Sequence, residues 1–275
     1  MGMKVVIKPL GYARIAARPP STPSVAARDE ATAAPPPSTV LGMLGALKGI
    51  VVQCPGPGPG PQGAERQLVE LAQALGVRSV WGPLVEIDGV LHAPGLDSLY
   101  AVKGGRVERR AISTIRRVGL ALSAFKTAAP GYLYTATYVA EKAKYIYYID
   151  ADGLRGGVAR LGGEGRLALV EVEEGEADVP EEITGRAILL TPLLIPEGKP
   201  PQCLRPLGVF EERGGAVEIA PKVRVVQWGL GFSEVCRERR PMYPAIAPGA
   251  VVEASRCGRN VGYLAELGYG ALMPL

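Results

Sequence analysis

The chain has 275 residues, 47% of them hydrophobic and 21% charged, a balance that excludes bulk disorder and leaves room for two domains of ordinary size. Thirty-one bases against 27 acids give a formal +4, but seven of the acids fall within residues 171–182 (EVEEGEADVPEE), and outside that run 31 bases face 20 acids, or +11. A basic body with one acidic protrusion suits a polyanionic partner, the acids being kept in solvent as a hairpin tip or docked on a basic neighbour.

Among the bases Arg outnumbers Lys, and Asn260 is the one asparagine, a pattern that fits a protein built for high temperature. Cys54, Cys203, Cys236 and Cys257 stand far apart without a C-x-x-C pair, and His92 is the one histidine, so neither a zinc site nor a redox motif is supported. The N-terminal MGMKVVIKPL has no apolar signal core and no apolar run reaches membrane-spanning length. A cytoplasmic chain is expected.

In chain order, Met3 to Lys8 reads as a strand, followed from Pro9 to Ala34 by a basic, Pro-punctuated loop with Arg14, Arg18 and Arg28. Pro35-Pro-Pro-Ser-Thr39 then opens a helix. Ser38 or Thr39 is expected to cap it, Val40, Leu41, Leu44 and Leu47 form its apolar stripe, and Gly42 and Gly45 would allow close packing on a sheet. Cys54 to Gly63 (CPGPGPGPQG) is a surface linker, since alternating Pro and Gly remove backbone donors and ordering together. No G-K-[ST] follows, so it is not a phosphate loop. Leu68, Leu71, Ala72 and Leu75 mark a second helix from Glu65.

Strands follow. Ser98 to Lys103 and Arg106 to Ile112 flank a Gly104-Gly105 turn; Val118 to Leu122, Tyr132 to Ala140 and Lys144 to Ile149 continue the pattern, with the last two forming one Tyr-rich hairpin. Alternation puts Tyr145 and Tyr147 on one face, for stacking bases or for packing, and Tyr148 on the other. Leu161 to Arg166 (LGGEGR) runs into the strand Leu167 to Val172; Gly162, Gly163 and Gly165, with Arg166 behind them, let backbone approach a negatively charged ligand, for which an RNA backbone is the expectation. Further strands are predicted at Ala187 to Ile195, Val223 to Trp228, Ala250 to Ala254 and Gly270 to Met273, with short helices around Glu211 and Tyr263. With no regular strand-helix alternation, the fold class is α+β.

Catalytic candidates are sparse. His92 has no second histidine, Asp150-Ala-Asp152-Gly153 resembles the start of a divalent-cation loop but lacks the closing Glu, and the pairs Arg109-Arg110 and Arg116-Arg117 and the group Arg237, Arg239 and Arg240 suit phosphates or plain solvent. No cofactor, metal or catalytic residue is assigned.

The segments PPPSTVLGMLGAL (35–47), WGPLVEIDGVLHAPGLDSL (81–99), VGLALSAFKTAAPGYLYTATYV (118–139), LGGEGR (161–166), ILLTPLLIP (188–196), PAIAPGAVVE (244–253) and LGYGALMPL (267–275), taken in order, resemble the third-subunit family of the type III-B (Cmr-module) CRISPR effector complexes, within the repeat-associated mysterious protein (RAMP) superfamily. The resemblance implies two ferredoxin-like (RRM-like, βαββαβ) modules with long insertions, over 1–177 and 178–275. It implies a non-catalytic subunit that grips the 5′ tag of the guide RNA and bridges the polymerase-like large subunit to the backbone RAMP subunit in antiviral defence. The helix at Ser38 and Thr39, the turn at Gly162, Gly163, Gly165 and Arg166, and Gly268 and Gly270 would then line the RNA path, with Arg14, Arg18, Arg28, Lys126 and Arg240 as basic contacts. The Pro-Gly linker and the stop at Leu275 depart from the family pattern. Competing expectations are the equivalent handle-binding subunit of another effector subtype, a RAMP-type repeat-RNA endoribonuclease, and an interaction module without RNA.

Overall fold

The computed structural model describes residues 2–18, 30–54, 63–103, 106–122, 128–140, 142–163 and 165–275. After β1 (Gly2–Pro9) come a short ladder of β2 (Ala16–Arg18) and β3 (Glu30–Ala31), then helices α1 (Pro37–Lys48) and α2 (Gly63–Ala74). The chain turns to strands: β4 (Ser79–Ile87), β5 (Val90–Pro94), β6 (Ser98–Lys103), β7 (Arg106–Ala111), β8 (Thr114–Leu122), β9 (Ala128–Val139), β10 (Lys144–Asp150), β11 (Gly157–Arg160) and β12 (Leu167–Glu174). The remainder holds β13 (Glu182–Leu189), β14 (Leu193–Leu194), β15 (Leu204–Arg213), β16 (Ala216–Ala220), β17 (Val225–Gly229), β18 (Phe232–Ser233), β19 (Glu238–Arg239), β20 (Met242–Ile246), β21 (Ala250–Gly258), a 3₁₀ turn at Ala265–Leu267, and β22 (Leu272–Pro274). The class is α+β, strands predominating.

Eight strands form one sheet in the order β11-β12-β1-β10-β4-β5-β6-β7, and five form a second in the order β16-β15-β21-β13-β22. Neighbouring strands are antiparallel throughout. Alternation decides the layers. On β1 and β10, Val5, Ile7, Tyr145, Tyr147 and Ile149 face the core shared with Leu41 and Leu44 of α1 and Leu68 of α2. On the opposite face Val6, Trp81, Leu84 and Ile146 meet Ile188, Leu190, Phe210 and Val251 of the second sheet. Trp81 crosses this seam to donate its indole N–H to the Leu272 carbonyl at 2.8 Å. The far face of the second sheet (Ala187, Leu189, Leu204, Val252, Ala254) is covered by Leu193, Ile195 and Ile246 from loops and short strands.

Several expectations need correction. Pro36 is the N-cap of α1, with proline at its first position and no side-chain cap hydrogen bond, so Ser38 lies inside the first turn, 4% exposed, rather than capping it. A Cβ on Gly45 would come 2.9 Å from Leu71, so that glycine brings α1 against α2 rather than against a sheet; Gly42 has nothing within 4 Å. The tyrosines do not share a hairpin, because β9 pairs with β8 while β10 lies between β1 and β4. Tyr145 and Tyr147 are fully buried. Glu211 is in β15, not a helix: Gly214 and Gly215, both with positive φ (58° and 81°), make the two-residue turn of a β15-β16 hairpin.

The acidic run is no protruding tip. Glu171 and Glu173 lie on β12 and pair with Lys8 (2.6 Å) and Lys4 (2.7 Å) of the adjacent β1, while Glu182 on β13 pairs with Arg256 (3.0 Å). All four cysteines pair, Cys54 with Cys236 and Cys203 with Cys257. The first bond ties the segment before α2 to the loop between β18 and β19.

Candidate nucleic-acid interface

The LGGEGR turn closes the β11-β12 hairpin, with Leu161 N–H donating to the Arg166 carbonyl at 2.7 Å. Gly162 (φ 67°) lies flat against the chain entering from β1: a Cβ there would stand 2.0 Å from the Arg14 carbonyl oxygen. That carbonyl accepts the Gly163 amide at 3.2 Å. Gly165 (φ 62°) has open space around its Cβ position, and Gly163 faces only the Arg14 side chain, 3.3 Å from Cδ. All three glycines are exposed.

The same incoming segment is strapped to β9. Ala13 and Val139 exchange both backbone hydrogen bonds (3.1 and 2.8 Å), which buries Ala13 and presents Tyr12 and Arg14 on either side of it. In the β8-β9 ladder Arg117 opposes Ala136 and Ile115 opposes Tyr138, making Arg117 and Tyr138 diagonal neighbours on one face. The result is an alternating column of cations and rings: Arg117 lies 5.2 Å from the Tyr12 ring and 6.0 Å from the Tyr138 ring, and Arg166 lies 4.9 Å from Tyr138 on the turn side. Among the described residues Arg166 Nε is buried without a hydrogen-bond partner. Exposed glycines, flanking guanidiniums and an exposed ring are the donors and surfaces that hold a single-stranded phosphodiester chain.

Other predicted positions lie elsewhere. Arg18 is on β2, of which the backbone alone is described, and Arg28 and Lys126 lie outside the described residues. Ser38 sits at the opposite end of α1 from Leu47, the residue touching Gly157 of β11, about 13 Å along the helix. There it joins Arg240, whose guanidinium donates to the carbonyls of Ala64 (2.9 Å) and Phe232 (3.0 Å) and to Gln67 Oε1 (3.0 Å). A Cβ on Gly231 would touch both Ser38 Oγ (3.8 Å) and Arg240 Nη1 (3.7 Å). Burial lowers the Arg240 pKa and pushes the Tyr269 hydroxyl up to about 12. Thr39 is half-buried, its N–H on the Pro36 carbonyl. Gly268 abuts the Val80 side chain, and a Cβ on Gly270 would stand 2.0 Å from the Val261 carbonyl oxygen, so both glycines sit in close packing.

The sequence reading missed Glu65. It is 1% exposed and accepts hydrogen bonds from Tyr243 (2.5 Å) and Tyr263, and burial followed by the bond to Glu65 raises both tyrosine pKa values. Its partners come almost 200 residues later, so no local signal marks it. Two catalytic candidates have structural occupations. His92 is buried with Nδ1 at 2.9 and 3.2 Å from the carbonyls of Val90 and Val85. Arg78 donates to both Asp150 oxygens (2.6 and 2.8 Å) and to Asp152 (3.3 Å), and this hydrogen bonding holds Asp150 well below the usual carboxylate range. Among the described residues the one trio with metal-ligand spacing is Cys54, Cys236 and Glu238, and its cysteines are bonded to each other.

Fold and surface together define a strand-rich α+β protein with a basic, aromatic edge, and comparison with known proteins gives the class. Residues 97–269 match the family model described as "CRISPR-associated protein (Cas_Cmr3)", and the chain belongs to that family. It is similar to the CRISPR system CMR subunit Cmr3 of Saccharolobus solfataricus, 29% identical over 148 residues, which are 50% of this chain and 43% of the relative; the match thus spans less than half of that relative's length. Two solved chains share the fold at 21% identity. One is from the cryo-EM structure of the Type III-B Cmr-beta bound to cognate target RNA (TM-score 0.63, 98% of this chain and 96% of that one). The other is from the structure bound to cognate target RNA and AMPPnP, state 1 (TM-score 0.60, 91% and 86%).

Proposed function

We propose that this chain is a non-catalytic RNA-binding subunit of a type III-B CRISPR effector complex, gripping the 5′ tag of the guide RNA and bridging the large subunit to the backbone subunits in the cytoplasm. The observation that carries the reading is the joining, on one exposed edge, of the glycine turn with the Tyr12–Arg117–Tyr138–Arg166 column. Membership of the Cmr3 family supplies the context.

Strand order supports the two-module part of this reading. β12-β1-β10-β4 and β22-β13-β21-β15 each run fourth, first, third, second in chain order with antiparallel neighbours, the order of a ferredoxin-like unit. We assign one module to residues 1–177 and the other to 178–275. In the first, α1 and α2 occupy the crossover between β1 and β4; in the second, loops and short strands replace the helices. A non-catalytic role accords with the occupations of His92, Asp150 and Asp152.

The test is filter binding of single-stranded RNA across a salt series. If about five phosphates are contacted, log affinity falls with log salt at a slope near about −3.5, from about −0.7 per phosphate. A flat response would refute the electrostatic basis of the proposal.

A further inference from the structure

We infer that Tyr12 and Arg117 form a stacking platform for one unpaired nucleobase, at the end of the column remote from Arg166; this rests on the RNA-binding reading above. Tyr12 is 41% exposed, although an aromatic ring of its size gains most from burial. One side of it is occupied by an exposed guanidinium, and among the described residues Arg117 has no carboxylate partner. Arg117 is instead held between two rings, Tyr12 and the buried Tyr138.

The mounting is rigid. Paired backbone bonds at Ala13 fix the segment that carries Tyr12, and the β8-β9 ladder fixes Arg117. A platform ordered before binding loses little side-chain freedom when a base arrives, which is where much of the cost of stacking otherwise lies. A planar base stacked on the outer face of Tyr12 adds one more π surface to the column, while its phosphate can reach toward Arg14. Every base has a π face, so this position tolerates sequence, and guanidinium and ring both favour a splayed single strand over a duplex.

The test uses the full chain and a single-stranded RNA oligonucleotide carrying 2-aminopurine at successive positions. Wild type should quench the fluorophore at one position. Tyr12→Phe should keep the quenching and the affinity, whereas Tyr12→Leu, which preserves apolar bulk without a π face, should lose the quenching and about tenfold in affinity. Neither change removes a charge, so the salt slope should stay as in wild type, unlike Arg166→Ala, which should lower it by about 0.7. If wild type binds RNA and Tyr12→Leu binds and quenches equally well, the platform is overturned while the RNA-binding reading survives. If wild type itself binds no RNA, both fall.

Discussion

The three glycines of the LGGEGR turn should respond differently to a single added methyl group. In Gly162→Ala the new Cβ meets the Arg14 carbonyl oxygen at 2.0 Å, and the residue must also hold φ near 67°. The left-handed backbone costs roughly 1–2 kcal/mol, and moving the Arg14 carbonyl away sacrifices the Gly163 hydrogen bond, about another 1 kcal/mol. The expected loss is about 2–3 kcal/mol, or roughly 5–10 °C in melting temperature for a chain of this size. Gly165→Ala keeps only the φ cost, because its Cβ position is open, and should lose about 1–2 kcal/mol. Gly163 has no positive φ and faces the flexible Arg14 side chain, so Gly163→Ala should melt close to wild type. RNA affinity should invert the order, since Gly163→Val keeps the fold yet obstructs backbone approach to phosphate. Thermal unfolding by circular dichroism, with RNA binding on the same variants, reads both. Equal melting temperatures for Gly162→Ala and Gly163→Ala would show that the turn is not held against Arg14.

The Cys54–Cys236 and Cys203–Cys257 bonds close loops of 182 and 54 residues in sequence separation. Reduction of the wild type, or Cys236→Ser and Cys257→Ser measured without reductant, should each cost about 2–4 kcal/mol, read as loss of melting temperature against the oxidised wild type, and an unchanged temperature would show that the crosslinks are dispensable. The raised pKa values of Tyr243 and Tyr263 mean that the unfolded chain releases these protons near pH 10 while the folded chain retains them. Their contribution is thus fully present below about pH 10 and lost above it; urea titrations from neutral to alkaline pH should show this fall, weakened in Tyr243→Phe together with a loss at neutral pH of about 1.5–3 kcal/mol. Purified protein should leave repeat RNA intact with or without divalent metal, and turnover abolished by His92→Ala would instead make it a processing enzyme.

Local pattern located elements better than it paired them. The stripes Val40–Leu44 and Leu68–Leu75 produced α1 and α2 within about two residues, and alternation put Tyr145 and Tyr147 on one face. Pairing is non-local: β1 lies between β10 and β12, more than a hundred residues away, so period-2 signals at β9 and β10 could not reveal that each pairs elsewhere. The interface suffers the same limit. Tyr12, Arg117, Tyr138 and Arg166 come from four separated segments; Arg166 was singled out through its glycines and Arg117 as one of several basic pairs, but no local signal joins them. Four cysteines allow three pairings, and nothing in their spacing selects one.

Charge is where sequence and structure must be combined. The +11 obtained by setting aside residues 171–182 treats those acids as remote, yet Glu171 and Glu173 lie within 2.7 Å of Lys8 and Lys4, and Glu181 and Glu182 within 3.4 Å of Arg259 and Arg256. Each of these exposed pairs is worth at most about 1 kcal/mol to stability. Their electrostatic consequence is larger: beyond a Debye length of about 8 Å a matched pair presents almost no field. The bases so cancelled lie at the β1-β12 border and at the C-terminal end of β21, whereas Arg117 and Arg166 lie over rings, which attract a cation without neutralising its charge. Arg117 and Arg166 therefore keep their positive charge at the turn and the column. A salt slope of a few units, not one scaled to eleven charges, is what this distribution demands, and its reduction in Arg166→Ala should exceed that in Lys8→Ala, whose charge is already spent on Glu171.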